Sequence, residues 1–360
     1  MTAPDPGTIA LVALGALLVV GALAPLETLG WWAGWYGDPV DDRRLDPRSG
    51  LPEEASGADE AGSGDPATDG LVPAATTPAA PPPSPAEPIA GPWIVYLAGI
   101  HAVGPVTHAR REARLVAGLR TALPRGRVLE VFPYSVTNRA LTGQRIFAGV
   151  WRWSLNAKLS GRRLAQIAGF LINVRNLWQV LVSADRRYGP FYSRGSAELI
   201  VRSLRRRGFA IDDEAAANAR IVLVGYSGGA QVAAGAAPFV RERTGATVTV
   251  VSLGGVLSAD PGLLEADRVW HLIGRADRVQ RFTSWLFPGR WRLLSWSPWN
   301  AARRRGRLRT VVIGPCDHTG VAGYLDEDAF VPDGRSHLDV TVDVLAAIAE
   351  GGGERLPVAA

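Results

Sequence analysis

Ile221-Val222-Leu223-Val224-Gly225-Tyr226-Ser227-Gly228-Gly229-Ala230-Gln231 is the stretch on which the reading of this 360-residue chain turns. Four apolar residues of buried-strand type run into G-x-S-x-G, and small residues continue from Ala230 to Ala237. Strand, sharp turn and helix in that order are the sequence form of a nucleophile elbow. A serine hydroxyl is a poor nucleophile unless it is exposed, held beside a base and close to donors for a developing oxyanion, and such a turn supplies all three. Gly225 and Gly229, two residues either side of Ser227, stand where side chains would collide as strand and helix cross. Gly228 is placed to offer its backbone N–H to a reacting carbonyl oxygen.

A serine of this kind needs an acid and a histidine later in the chain, each beyond the carboxyl end of its own strand. Val269-Trp270-His271-Leu272-Ile273-Gly274 reads as a strand and is followed by Arg275-Ala276-Asp277, which makes Asp277 the candidate acid. Arg309-Thr310-Val311-Val312-Ile313-Gly314 reads as the next strand, and the loop after it, Pro315-Cys316-Asp317-His318-Thr319-Gly320, places His318 as general base.

The chain has only 5 histidines, so the competition is short. His271 lies inside a strand, where a satisfied core imidazole is expected, and His108 is read on the first helix. His337 opens the last helix and is the rival base, but it comes one element too late. Asp317 reads as a loop-forming carboxylate and is the alternative acid, with Asp260 behind it. Cys316, the lone cysteine, precedes no elbow. A second oxyanion donor should come from the loop after an earlier strand. Trp93 to Leu97 followed by Ala98-Gly99-Ile100-His101 fits, with the N–H of Ile100 as donor, while His101 either orients substrate or packs in the loop.

Gly225-Tyr226-Ser227-Gly228-Gly229, strand-end Asp277, strand-end His318 and Ala98-Gly99-Ile100 together resemble the α/β-hydrolase superfamily, from about Pro92 to the last helix. The order Ser, Asp, His is the one that superfamily uses. The resemblance implies an open, mostly parallel sheet with helices on both faces, here reduced to about six strands, and ester chemistry with the substrate left open. Strands are expected at Trp93–Leu97, Val128–Pro133, Ile221–Val224, Thr247–Leu253, Val269–Ile273 and Arg309–Ile313, all apolar on both faces as buried parallel strands are. Helices are expected at Ala109–Leu123, Ser196–Arg207, Ala230–Thr244 and His337–Glu350.

Two connections are too long for simple crossovers, and long insertions in a compact domain usually carry function. Residues 134–194 contain Arg145 to Trp153 and the apolar run Leu164 to Val182, which Arg175, Asn176 and Gln179 interrupt. Each charge at a bilayer centre costs about 3 kcal/mol, so this run reads as a helical cap over the elbow and not as a membrane span. Residues 279–307 interleave Trp285, Trp291, Trp296 and Trp299 with Arg290, Arg292 and Arg303 to Arg305. Tryptophan favours the headgroup level of a bilayer and arginine its anionic phosphates. The competing reading packs the tryptophans inside the cap. Nucleic acid is disfavoured as a partner because no single-strand-binding pattern accompanies the Trp and Arg residues.

Residues 1–40 read as an N-terminal transmembrane anchor: Ile9 to Leu26 is uncharged and almost wholly apolar, and Trp31, Trp32 and Trp35 follow as a belt. No basic residue precedes it, and Pro25 follows Ala22-Leu23-Ala24, which disfavours cleavage as a signal peptide. Residues 41–91, rich in Pro, Ala, Gly and acids, read as a disordered linker. Residues 92–360, the hydrolase domain, keep 36 of the 39 basic and 21 of the 34 acidic residues, a net +15 against +5 for the whole chain. A basic domain on an acidic tether is expected at an anionic lipid surface. Arg43, Arg44 and Arg48 beyond the anchor put that domain on the cytoplasmic side by the positive-inside rule.

The expectation is thus a single-pass, membrane-anchored serine hydrolase acting on a carboxylic ester or thioester with an acyl chain, without metal or organic cofactor. Ser227, His318 and Asp277 form its triad, and the N–H groups of Gly228 and Ile100 its oxyanion hole. An acyltransferase using the same triad and a noncatalytic membrane scaffold of the same fold are the alternatives.

Overall fold

The computed structural model describes residues 91–104, 107–135, 164–211, 214–353 and 356, with 71–73 and the isolated positions 5, 15 and 19. Strands β1 (Trp93–Leu97), β2 (Arg127–Val131), β3 (Arg220–Tyr226), β4 (Thr247–Leu253), β5 (Arg268–Gly274) and β6 (Leu308–Gly314) form one all-parallel sheet in the order β2-β1-β3-β4-β5-β6. The two-residue periodicity of each strand divides its apolar side chains between two cores. Ile94, Tyr96, Val222, Val224 and Tyr226 face one side with helices α1 (Arg110–Ala122) and α7 (His337–Ala349). Trp93, Val95, Leu97, Ile221 and Leu223 face the other with α3 (Gly189–Arg206) and α4 (Gly229–Thr244). Both faces are covered, which is why the strands read as continuous apolar runs and not as alternating ones.

All six strands stand where the sequence puts them, to within two residues at each end. Differences lie at helix starts. The chain begins α3 at Gly189, one turn and more before Ser196, because Pro190 suits a first turn whose N–H groups have no helical acceptor. Before α1, residues 107–109 pair antiparallel with Leu71–Pro73, so His108 lies in a short strand and not on a helix. That ladder also takes three residues of the 41–91 segment into regular structure.

The sheet order fixes where a site can form. From β1 the chain goes outward to β2 and then returns to the opposite side of β1 as β3, so the connections leaving β1 and β3 diverge and open a crevice at their carboxyl ends. Ser227 follows β3 directly, and the Gly99–His101 loop follows β1. The long connections fold over this edge. The first supplies helix α2 (Leu164–Ala184), while its residues 136–163, which include Arg145 to Trp153, lie outside the described residues. The second supplies α5 (Arg278–Leu286) and α6 (Pro298–Arg304), the latter started by Ser297, whose hydroxyl accepts from the Asn300 N–H. Nearly all of residues 1–40, with the expected anchor, also lie outside the described residues; among those described, no helix is long and apolar enough to cross a membrane.

Candidate active site

The turn at Ser227 is built by close approach. A Cβ on Gly225 would lie 2.4 Å from the Ala230 Cα, and one on Gly229 would lie 2.4 Å from the Leu97 carbonyl oxygen, both far inside van der Waals contact. With both glycines the helix starts hard against β1 and β3, and Ser227 is held at φ 51°, a left-handed conformation unusual for a residue with a side chain. Its N–H donates to the Leu253 carbonyl at 3.0 Å, and its carbonyl accepts from Val256 N at 3.0 Å, so the end of β4 clamps the strained residue.

Ser227 Oγ lies 2.9 Å from His318 Nε2, and His318 Nδ1 lies 3.0 Å from Asp277 Oδ2. The carboxylate can only accept, so Nδ1 carries the proton and Nε2 presents a lone pair to the serine hydroxyl. Asp277 is fully buried and caps α5, its Oδ1 accepting from Gln280 N at 2.8 Å. Oδ2 also accepts from the Tyr324 hydroxyl at 2.7 Å. Burial pushes the Asp277 carboxyl upward, but the hydrogen bond and charge of His318, with the Gln280 N–H and the Tyr324 hydroxyl, outweigh it and hold the carboxyl below its ordinary value. A bulge in β6 at Ile313, between paired positions Ile273–Val312 and Gly274–Gly314, redirects the strand ends from which Asp277 and His318 emerge.

Three positioning contacts go beyond those expected from the sequence. Tyr226, beside the serine, stacks its ring on His318 at 6.0 Å and donates its hydroxyl to the His318 carbonyl at 2.8 Å. Tyr324 bridges the acid to the strand below it, accepting from Gly274 N at 2.6 Å. Glu112, wholly buried on α1, accepts from Gly99 N at 3.2 Å and anchors the loop that carries Ile100. Of these only Tyr226 had a signal, since the two-residue periodicity of β3 turns its ring toward the α1 and α7 face.

The rival residues are occupied elsewhere. His337 Nδ1 faces the carbonyls of Ala322 and Gly323 at 3.1 and 3.2 Å, so it is a donor buried at the start of α7. Asp317 accepts from the N–H of His318 itself at 2.7 Å, as a loop-forming carboxylate does. Asp260 accepts from Gln231 Nε2 and Gly262 N, each at 2.8 Å, and burial raises its pKa to about 6. Burial also pushes the Cys316 thiol up to about 11, which leaves it unreactive at neutral pH. His271 is buried in β5 with Nδ1 2.9 Å from Ser252 Oγ and Nε2 3.2 Å from Arg290 Nη2. Burial and that guanidinium hold the imidazole well below its usual pKa, which makes it the neutral core histidine the sequence suggests.

The polar interruptions in the first insertion have a definite use. On α2 the buried side chains include Arg175, Asn176, Gln179 and Ser183 beside Ile172 and Val180, whereas Leu177 and Leu181 are exposed, so the buried face is unusually polar for a helix. Asn176 Nδ2 donates to the carbonyls of Ile100 and Ala102 at 2.6 and 2.8 Å, and Arg175 Nη1 to that of Tyr134 at 2.6 Å. The helix thereby pins the loop whose Ile100 N–H, like that of Gly228, has no acceptor among the described residues. The two residues adjoin: a Cβ on Gly228 would come within 2.7 Å of Ile100 Cγ2. Asn176→Leu is expected to lower turnover about tenfold or more through loss of donor alignment, and to cost about 1–3 kcal/mol of stability by leaving buried carbonyls unpaired. Steady-state kinetics on a soluble ester with thermal unfolding of the same sample measures both, and unchanged values in both would show that the loop holds itself.

A cavity of about 730 Å³ opens beside Ser227, walled by α2, α5 and the loop after His318. Leu177, Leu181, Val279, Phe282 and Leu286 give it a hydrocarbon wall. Comparison with known proteins finds no family model and no curated protein that matches the chain.

Proposed function

We propose that the chain is a serine hydrolase of α/β-hydrolase type that cleaves a carboxylic ester or thioester bearing an acyl chain. The observation that carries this reading is the hydrogen-bonded series Ser227–His318–Asp277 set at the floor of a largely apolar cavity. In the reaction Ser227 Oγ attacks the acyl carbonyl while His318 Nε2 takes its proton, and Asp277 stabilises the imidazolium that results. The N–H groups of Gly228 and Ile100 receive the oxyanion. His318 returns the proton to the departing alcohol or thiol, and a water activated by the same nitrogen then releases the acid. A fluorophosphonate probe is expected to label the native protein at Ser227. Label mapped to another residue, or none, overturns the reading.

The anionic membrane surface remains the proposed partner, with residues 1–40 as a single-pass anchor and the catalytic domain on the cytoplasmic side. Exposure of the second insertion supports it. Trp285 is 66% exposed, Leu293 84% and Trp296 75%, whereas Trp299 alone, at 4%, packs inside beneath Arg290. Exposed rings beside arginines in a +15 domain suit the headgroup region. Residues 92–360 are expected to sediment with vesicles containing anionic lipid, to release as salt rises, and to bind several-fold more weakly after Trp285→Ser and Trp296→Ser. No binding at low salt would remove the membrane from the reading and leave the chemistry standing.

A further inference from the structure

The cavity beside Ser227 has two unlike walls. That contributed by α5 and the C-terminal half of α2 is hydrocarbon, from Leu181, Val279, Phe282 and Leu286. That contributed by the loop after β1, the start of α1 and the N-terminal half of α2 carries His101, Arg111, Glu112 and Asn173. Position along α2 separates the two. Val180 packs at Gly228, Asn176 holds Ile100, and Asn173 lies about 10 Å along the helix axis from Val180 at 1.5 Å per residue.

The polar wall is preorganised but incompletely satisfied. His101 Nε2 stands 2.7 Å from Glu112 Oε1, close to a buried carboxylate but without the alignment of a hydrogen bond. Arg111 donates to the Gly320 carbonyl and approaches Asp326 at 3.6 Å. Asn173 Oδ1 is buried with no hydrogen-bond partner among the described residues. None of these four groups belongs to the triad or the oxyanion donors. A buried amide oxygen without a donor is costly unless a ligand supplies one.

We infer that this wall is a subsite for the alcohol portion of the ester, and that the alcohol is neutral and hydroxyl-rich, a polyol or a sugar. The inference rests on the serine hydrolase reading. Asn173 Oδ1 requires a donor, which an alkyl alcohol lacks after esterification and a polyol keeps. Charge narrows the class further, because the Glu112 carboxylate disfavours an anionic head and the Arg111 guanidinium a cationic one. A hydroxyl donates to Asn173 and accepts from an N–H of the same wall, while the acyl chain lies on the hydrocarbon side.

The test compares the octanoyl ester of glycerol, the octanoyl ester of glucose and ethyl octanoate on the full chain. At least one polyol ester is expected to exceed ethyl octanoate in kcat/KM by about tenfold or more, chiefly through KM, since a site built for a hydroxyl rejects an analogue without it. Which of the two is preferred distinguishes a small polyol from a sugar. In Asn173→Leu the ratio should fall toward one, and Asn173→Ala, the better helix former, reads the same ratio where leucine is not tolerated. Equal kcat/KM for all three esters in the native protein overturns the inference, as does a preference that survives both substitutions. If no ester is cleaved and Ser227 takes no fluorophosphonate label, the hydrolase reading fails and this one with it; cleavage without preference sinks the subsite alone.

Discussion

Ser227→Ala is expected to lower turnover of a short p-nitrophenyl ester by more than about a thousandfold, equivalent to about 4 kcal/mol of transition-state stabilisation, and to abolish fluorophosphonate labelling. The fold should survive. Ser227 is set in place by its backbone, through Leu253 and Val256, and its hydroxyl hydrogen-bonds to His318. Alanine meets the same left-handed backbone requirement as serine, so thermal unfolding should shift little. Turnover that persists in a folded Ser227→Ala protein would mean that the cavity works by other groups, and the nucleophile would have to be sought elsewhere.

The second large effect separates two histidines. His318→Ala is expected to remove activity to a similar degree, because among the described side chains no other imidazole hydrogen-bonds to Ser227 Oγ, whereas His337→Ala should retain turnover and lose stability instead. His337 is buried at the first turn of α7, donating to the carbonyls of Ala322 and Gly323, which also accept from Asp317 N and Asp326 N, so its removal leaves a void and loses one hydrogen bond at a cost of about 1 kcal/mol or more. The same pair is distinguished by pH. In the native chain Asp277 is held below its ordinary value, so its contribution to stability is present at neutral pH and is lost as pH falls through the folded value. Without His318 the largest lowering influence on Asp277 is gone and burial pushes its carboxyl up, so His318→Ala should unfold at higher pH on acidification than the native chain does. Activity lost in His337→Ala at full stability would move the base to α7.

What could be read without coordinates follows from local rules. Gly225 and Gly229 are demanded by the two-residue approach of helix to strand, and the apolar strands announce a parallel sheet covered on both faces. Strand-end positions then carry Ser227, Asp277 and His318 to one edge, because parallel strands all point their carboxyl ends the same way. Less was legible in the insertions. Arg175, Asn176 and Gln179 read as interruptions that forbid a membrane span, but hydropathy does not say that Asn176 holds the carbonyl of Ile100. Tyr324 sits in a loop, where no periodicity directs a side chain, and its contact to Asp277 spans 47 residues of sequence.

By itself, then, the sequence determined the elements and their parallel arrangement and offered candidate side chains at the strand ends, since each depends on residue size, polarity and spacing within one element. Only the tertiary structure decided which imidazole meets Ser227, which carboxylate meets that imidazole, and which tryptophans face outward. Those choices depend on distances between elements remote in sequence: His318 is 91 residues from Ser227 and 41 from Asp277, and sub-ångström hydrogen-bond geometry at such separations is set by packing and not by local preference. The same holds for α2, whose leucines line a cavity and whose polar side chains lie buried, because a helix presents a face according to what the sheet edge beneath it leaves unpaired.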